Sequence, residues 1–170
     1  MKRIIVLSLV LAVITALYVS LSRADTGVKA FAYDVHDGDT MKVVIEVEEG
    51  RANLLTLRLE GIDAPESAQD FGKEAQQYAA IWAFGHPLTL TVGDTDRYGR
   101  KVANVCRGSS SPYKCLSYQL VRNGLAWHYT AYSDDERLAR AQDKARQEGR
   151  GLWSNTNPEP PWEWRKRRRQ

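Results

Sequence analysis

A strand that runs into a proline turn, between Asn53 and Glu66, constrains this chain more than any other feature. Leu55, Leu57 and Leu59 alternate, so one face of the segment is buried and Arg58 points the opposite way. Gly61 breaks the strand, and Ala64 is held extended by the Pro65 that follows it, which marks a turn. Along Arg58-Leu-Glu-Gly-Ile-Asp63-Ala-Pro-Glu66, a cation, a candidate metal ligand and a candidate base leave the sheet together. Phosphate chemistry calls for that combination: positive charge on the phosphate, a metal anchor and a carboxylate beside an attacking water.

The neighbouring segments share the alternation. Val28–Val35 reads as a first strand and Thr40–Glu48 as a second, with Met41, Val43, Ile45 and Val47 on one face. Glu49-Gly50 turns the chain into the third strand, Asn53–Glu60. Gly72–Phe84 has helical spacing, with Ala75, Tyr78, Ala79 and Trp82 in one stripe and Gly85 and Pro87 as its stop. Leu88–Val92 and Lys101–Cys106 predict two further strands. Leu116–Asn123 predicts a short helix ended by Gly124, and Leu125–Tyr129 a short extended piece. Ser133-Asp-Asp-Glu136 has the form of a capping box for a last helix with Leu138, Ala141 and Ala145 inside and Gly149 as its stop. The pattern predicts an α+β chain: a five-stranded β-barrel of the OB-fold type, which serves oligonucleotide binding, with three helices.

The 170 residues suit one domain with appendages. Met1-Lys-Arg, the apolar run Ile4–Val19 and Ser22-Arg-Ala24 form the three regions of a secretory signal. Residues 1–24 are therefore expected to be a signal peptide on an exported, periplasmic or secreted chain, with an uncleaved membrane anchor as the alternative. Residues 25–155 are the expected domain. After Trp153, Pro158-Glu-Pro-Pro161 suggests polyproline geometry, so 156–170 reads as an extended tail. Trp162 and Trp164 could pack back on the domain, and Arg165–Arg169 is expected to be solvated. The formal charge of +3 is carried by the ends, because residues 25–164 hold 16 basic against 21 acidic residues. Bulk charge thus excludes a broadly basic nucleic-acid binder, and any phosphate recognition rests on local cations, a metal or the tail. Cys106 and Cys115 bracket a Gly-Ser-rich loop, and outside the cytosol their expected state is a disulfide. Two free thiols or a metal pair are the other readings, though no histidine lies near enough in sequence to favour zinc.

Two more charged turns accompany the first. Asp37-Gly-Asp39-Thr40 sits between strands one and two, and by itself is an ordinary hairpin turn. With Asp63 one strand further on, two carboxylates could share a hard cation, with water and a backbone carbonyl completing its shell. Asp96-Arg97-Tyr98-Gly99-Arg100 would pass for a solvated hairpin, except that Arg58 and Arg100 could reach one phosphate with their planar forks.

In this order the three motifs resemble the staphylococcal nuclease (thermonuclease) family, from about residue 30 to Trp153, with Gly124-Leu-Ala126 and Gly151-Leu-Trp153-Ser154 in agreement. The resemblance implies a phosphodiesterase dependent on one calcium ion, cleaving the 5′ P–O bond of DNA or RNA to leave 3′-phosphate ends. Asp39 and Asp63 would be side-chain ligands and Ala64 a main-chain ligand, where the family's best-known member has threonine. Glu66 would be the general base, and Arg58 and Arg100 would stabilise charge on the transition state. Arg97 and Tyr98 would contact a terminal phosphate and Tyr132 would line the nucleotide pocket. Thr130 stands where a second tyrosine is expected, with Tyr129 as a possible substitute. The cysteine segment is a departure, expected on the surface away from the metal. The expected partner is the nucleic-acid substrate, with a monomeric state, no obligate protein partner, and membrane association only through an uncleaved leader. The alternatives are an inactive nuclease-like module that binds nucleic acid or protein, and a tethered protein acting through its basic tail.

Overall fold

The computed structural model describes residues 27–47, 50–108 and 111–169, so the leader read over residues 1–24 lies outside the described residues. Five strands close into a barrel: β1 (Val28–Val35), β2 (Thr40–Val47), β3 (Arg51–Leu59), β5 (Leu88–Thr95) and β6 (Lys101–Arg107), in the order β1-β2-β3-β6-β5. All seams are antiparallel except β3–β6, which runs parallel and sets Arg58 opposite Val102. The alternation predicted for β3 holds: Leu57 and Leu59 are wholly buried, with Met41, Val43, Leu88, Leu90, Ala103 and Val105 from the neighbouring strands. A short pair, β4 (Ile62–Asp63) with β7 (Trp127–His128), lies outside the barrel and carries Asp63 beside Trp127. The extended piece expected at 125–129 is therefore the partner of the strand end that bears an acid.

The three expected helices are α1 (Gly72–Ala83), α2 (Leu116–Arg122) and α3 (Glu136–Gln147). Ala75, Ala79 and Ala83 face the core from α1, and Leu116, Leu120 and Val121 from α2. The cap of α3 differs from the expected box. Asp135 is the N-cap, its carboxylate accepting from Arg137 N–H, while the Ser133 hydroxyl accepts from Asp135 N–H one turn earlier. An aspartate next to the first turn also suits the positive end of the helix dipole.

A fourth helix, α4 (Pro161–Arg167), stands where the sequence suggested an extended tail. Pro161 supplies the fixed φ of a first helical residue, Glu163 lies in the first turn, and Arg165, Lys166 and Arg167 lie in the last. Seven residues do not sustain a helix by themselves. Packing does: the Trp162 ring stacks on Tyr129 at 5.2 Å and 9°, and meets Trp127 edge-on at 5.6 Å. Such a ring pair adds about 0.5–1.5 kcal/mol beyond the area it buries.

Cys106 and Cys115 form a disulfide. The two cysteines are buried, while the described residues between them lie at the surface as expected, with Tyr113 exposed. The two residues also form an antiparallel bridge, which ties the start of α2 to the end of β6. No helix among the described residues is long and apolar enough to cross a membrane.

Candidate active site

The site is built where the β1–β2 turn meets the chain after β4. Asp37 Oδ1 accepts the N–H groups of Asp39 (3.0 Å) and Thr40 (2.7 Å), which folds the turn tightly. Gly38 then lies against the opposite turn: a methyl on it would stand 2.6 Å from Ala64 Cβ and 2.8 Å from Ala75 Cβ. That close approach brings Asp39 to the Asp63 segment, and Asp39 Oδ2 accepts the Ala64 N–H at 2.6 Å. Gly72 does the same at the other end, since a Cβ there would overlap the Glu66 carbonyl. Phe71, just before it, takes a left-handed conformation at φ 64°, a strain of about 1–2 kcal/mol in a non-glycine residue.

Arg58 leaves β3 on the face away from the core, as its place in the alternation predicts. It is nonetheless 14% exposed, because the two acidic turns cover it. Its Nη1 lies 2.5 Å from Asp39 Oδ2 and its Nη2 2.9 Å from Asp63 Oδ1. The Nη1 approach is close in charge but not aligned as a hydrogen bond, so a buried donor is left over. Burial opposes the charge of this guanidinium, yet Asp39 and Asp63 outweigh it and raise its pKa. Asp63 is 1% exposed, and burial pushes its carboxyl above the ordinary range against the hydrogen bond from Arg165 and the charge of Arg58. Burial, and then the charge of Asp39, lifts Asp37 to about 6.

Arg100 joins the same network from the β5–β6 hairpin. Asp96 Oδ2 accepts from its Nε at 2.8 Å and lies 2.7 Å from its Nη2, while Nη1 donates to Thr40 Oγ1 at 3.0 Å. The Thr40 hydroxyl in turn donates to Asp39 Oδ1 at 3.2 Å. Asp96 is held below the ordinary carboxylate range: burial works the other way but is outweighed by the N–H groups and side chain of Arg100 and by Tyr98 N–H. Tyr98 is exposed at the hairpin tip, with the guanidinium carbons of Arg97 and Arg100 at 5.0 and 5.5 Å from its ring. Tyr132 is 79% exposed, its ring 4.9 Å from that of Tyr129.

Glu66 enters through a residue that the sequence reading left in solvent. Arg165, from α4, places Nη2 2.7 Å from Asp63 Oδ2 and Nη1 2.8 Å from Glu66 Oε1, with Asp63 Oδ1 at 3.2 Å. Burial again opposes the charge, and the hydrogen bonds to Asp63 and Glu66 prevail and raise its pKa. Asp39, Arg58, Asp63, Glu66 and Arg100 thus lie in one connected network, through Thr40 on one side and Arg165 on the other. Two residues of that network, Thr40 and Arg165, were missed as functional positions. The spacing of Trp162 and Arg165, three residues apart, was the available signal: at helical period an aromatic and a cation share one face.

Among the described residues no group of three or more His, Cys, Asp or Glu side chains is arranged to hold a metal. The donors present are the Asp39 and Asp63 carboxylates and the main chain of Ala64 beside them, all hard oxygen. The buried pair already shares one cationic group, Arg58, so a single small cation could be shared likewise. That donor set fits calcium with water completing the shell, and does not fit zinc. His128 is a neighbour and not a ligand: it is buried on β7, its Nε2 lies 3.2 Å from Ser133 Oγ, and burial lowers its pKa.

A family model described as staphylococcal nuclease homologue matches residues 56–155. The chain is 40% identical over 134 residues to an uncharacterized endonuclease of Escherichia coli O157:H7, covering 79% of this chain and 82% of that one. It is 34% identical over 137 residues to a micrococcal nuclease of Shigella flexneri, covering 76% of each. It is 43% identical over 123 residues to a staphylococcal-like nuclease of Arabidopsis thaliana, covering 72% of this chain and 36% of the plant protein. The chain therefore spans about a third of the length of the plant relatives it matches.

Proposed function

The chain belongs to the staphylococcal nuclease family, and on that premise we propose that it hydrolyses phosphodiester bonds of DNA or RNA with one calcium ion, leaving 3′-phosphate ends. The observation that carries the reading is the single network of ion pairs and hydrogen bonds joining two buried carboxylates, a third carboxylate on the loop before α1 and the guanidinium groups of Arg58 and Arg100. Asp39, Asp63 and the main chain of Ala64 would hold the ion, which when bound supplies Lewis-acid neutralisation of a phosphoryl oxygen.

The residues of the chain do the rest. Glu66, about a third exposed, can face solvent and take a proton from the water whose oxygen attacks phosphorus. Arg58 keeps the two acids together and has a spare buried N–H for a phosphoryl oxygen. Arg100, fixed by Asp96, offers N–H donors where charge grows as the P–O5′ bond breaks, and hydrogen-bonds the departing oxygen. Arg97 and Tyr98 extend the binding surface toward a terminal phosphate, and the exposed Tyr132 offers an aromatic face for a base beside Tyr129, on which Trp162 stacks. The leader pattern and the disulfide support an exported compartment for the enzyme.

The test is digestion of plasmid DNA and of single-stranded RNA with calcium and with a chelator, followed by end-labelling of the products. Cleavage that needs calcium and leaves ends labelled only after phosphatase treatment at the 3′ position is expected. Cleavage indifferent to chelator would remove the calcium role, and no cleavage of either polymer would favour the inactive binding module.

A further inference from the structure

We propose that Arg165 is a built-in competitor for the cation site, so that divalent-ion binding and release of α4 form one linked equilibrium. The inference rests on the reading that Asp39 and Asp63 hold the ion. Both oxygens of Asp63 carry guanidinium contacts: Oδ1 with Arg58 at 2.9 Å and Arg165 at 3.2 Å, and Oδ2 with Arg165 at 2.7 Å. A calcium ligand oxygen sits about 2.3–2.6 Å from its ion. An ion on Asp63 would therefore stand within a few ångströms of two guanidinium charges, and like charges at that range in a buried site repel strongly. One of the arginines must give way.

The two are not equally free to do so. Arg58 is rooted in β3, paired on one side with Thr40 of β2 and on the other with Val102 of β6. Arg165 is 31% exposed and stands on a helix of seven residues. That helix is seated by the buried Pro161, the Trp162 ring on Tyr129 and Trp127, the Gln69 side chain donating to the Glu159 carbonyl at 2.6 Å, and Arg165 itself, with no strand pairing behind it. The helix also lies beyond the residues matched by the family model, outside the barrel and the helices that build the site. It is the part that can leave without disturbing the fold.

Two consequences are fixed by linkage. The seated helix lowers the apparent affinity for the ion in proportion to the fraction of molecules in which Asp63 is free, and rising ion concentration lowers the apparent equilibrium constant for seating the helix in turn. The departure of α4 also uncovers the Tyr129 ring, which Trp162 covers. Cation entry and exposure of an aromatic face then arrive together.

Calcium titration by calorimetry on the full chain, on Arg165→Ala and on Trp162→Ala tests this, with tryptophan fluorescence and limited proteolysis beside it. Arg165→Ala is expected to bind calcium at least about ten-fold more tightly than wild type, and Trp162→Ala to fall between them. Calcium should change wild-type tryptophan emission and speed cleavage within 156–169, and do neither in Arg165→Ala. Trp162→Ala keeps every charge in place, so it separates helix seating from loss of a cation. If wild type binds calcium and Arg165→Ala binds it equally or more weakly, the competition is overturned while the cation reading stands. If neither binds calcium at all, the cation reading falls and takes this inference with it.

Discussion

Arg58 and Arg165 offer the same group to the same carboxylate, and they are held there by different means. Arg58 is delivered by a strand in the closed barrel, with the register of two neighbouring strands behind it. Arg165 is delivered by one short helix seated by the buried Pro161, the Trp162 ring and the Gln69–Glu159 hydrogen bond. The first contact is as secure as the barrel, and the second only as secure as the seat of α4. A buried ion pair at Asp63 can therefore be permanent on one oxygen and conditional on the other.

Glu66 is where the two regions meet, and its substitution is the hardest test of which one matters for chemistry. Glu66→Gln should lower turnover about 10²–10⁴-fold while the fold melts normally, with or without α4 present. A loss that appeared only in the chain carrying α4 would mean that the residue acts through Arg165 and not on water. Next comes stability. Arg58→Ala should cost about 3–5 kcal/mol in denaturant unfolding, because it strands the buried Asp39 and leaves Asp63 to Arg165 alone. Arg165→Ala should cost under about 1.5 kcal/mol, since Asp63 keeps Arg58 and Glu66 is partly solvated. Equal costs for the two would erase the distinction.

Gly38→Ala should cost about 1–3 kcal/mol and weaken calcium binding, because its methyl would push Asp39 away from Ala64 and Ala75. The same substitution should leave the seating of α4, read by tryptophan emission, almost unchanged. The smallest effect is a pH slope. Burial lifts Asp37 from its ordinary 3.8 to about 6, so between those values the native chain holds a proton that the unfolded chain has released. Stability in chelator should then fall as pH rises from about 4 to about 6. Asp37→Asn should lack that slope and gain about 1–2 kcal/mol at neutral pH, allowing for partial exposure.

The barrel half of this comparison could be read from the sequence, and the helix half could not. Leu55-x-Leu57-x-Leu59 declared a face, Arg58 followed from the alternation, and the three charged turns kept their order along the chain. These are local signals of period two with turns between them. Gly38 against Ala64 was invisible because a close approach between turns 26 residues apart leaves no local trace. Thr40 as the link between Arg100 and Asp39 was hidden for the same reason. The α3 box was misassigned by two residues, since Ser133 and Asp135 both satisfy the composition and only geometry chooses. The last segment reads as an extended tail because proline dominates its start, with Trp162 and Trp164 able to pack back and only Arg165–Arg169 expected in solvent. Its helix exists through Tyr129 and Trp127, and nothing within residues 156–169 announces those partners.

The parallel seam between β3 and β6 has a kinetic consequence. Arg58 and its neighbour Val102 are 44 residues apart in the chain, and the hairpins on either side can form before that seam does. Closing the barrel takes this seam and the β1–β5 seam, where Val28 pairs with Leu90, so closure costs far more loop entropy than either hairpin, and the guanidinium from β3 meets the hairpin that carries Arg100 only once β3 and β6 have paired. A refolding chain should regain its helical signal before it regains any affinity for cations, and its competence should arrive abruptly, at the moment of closure.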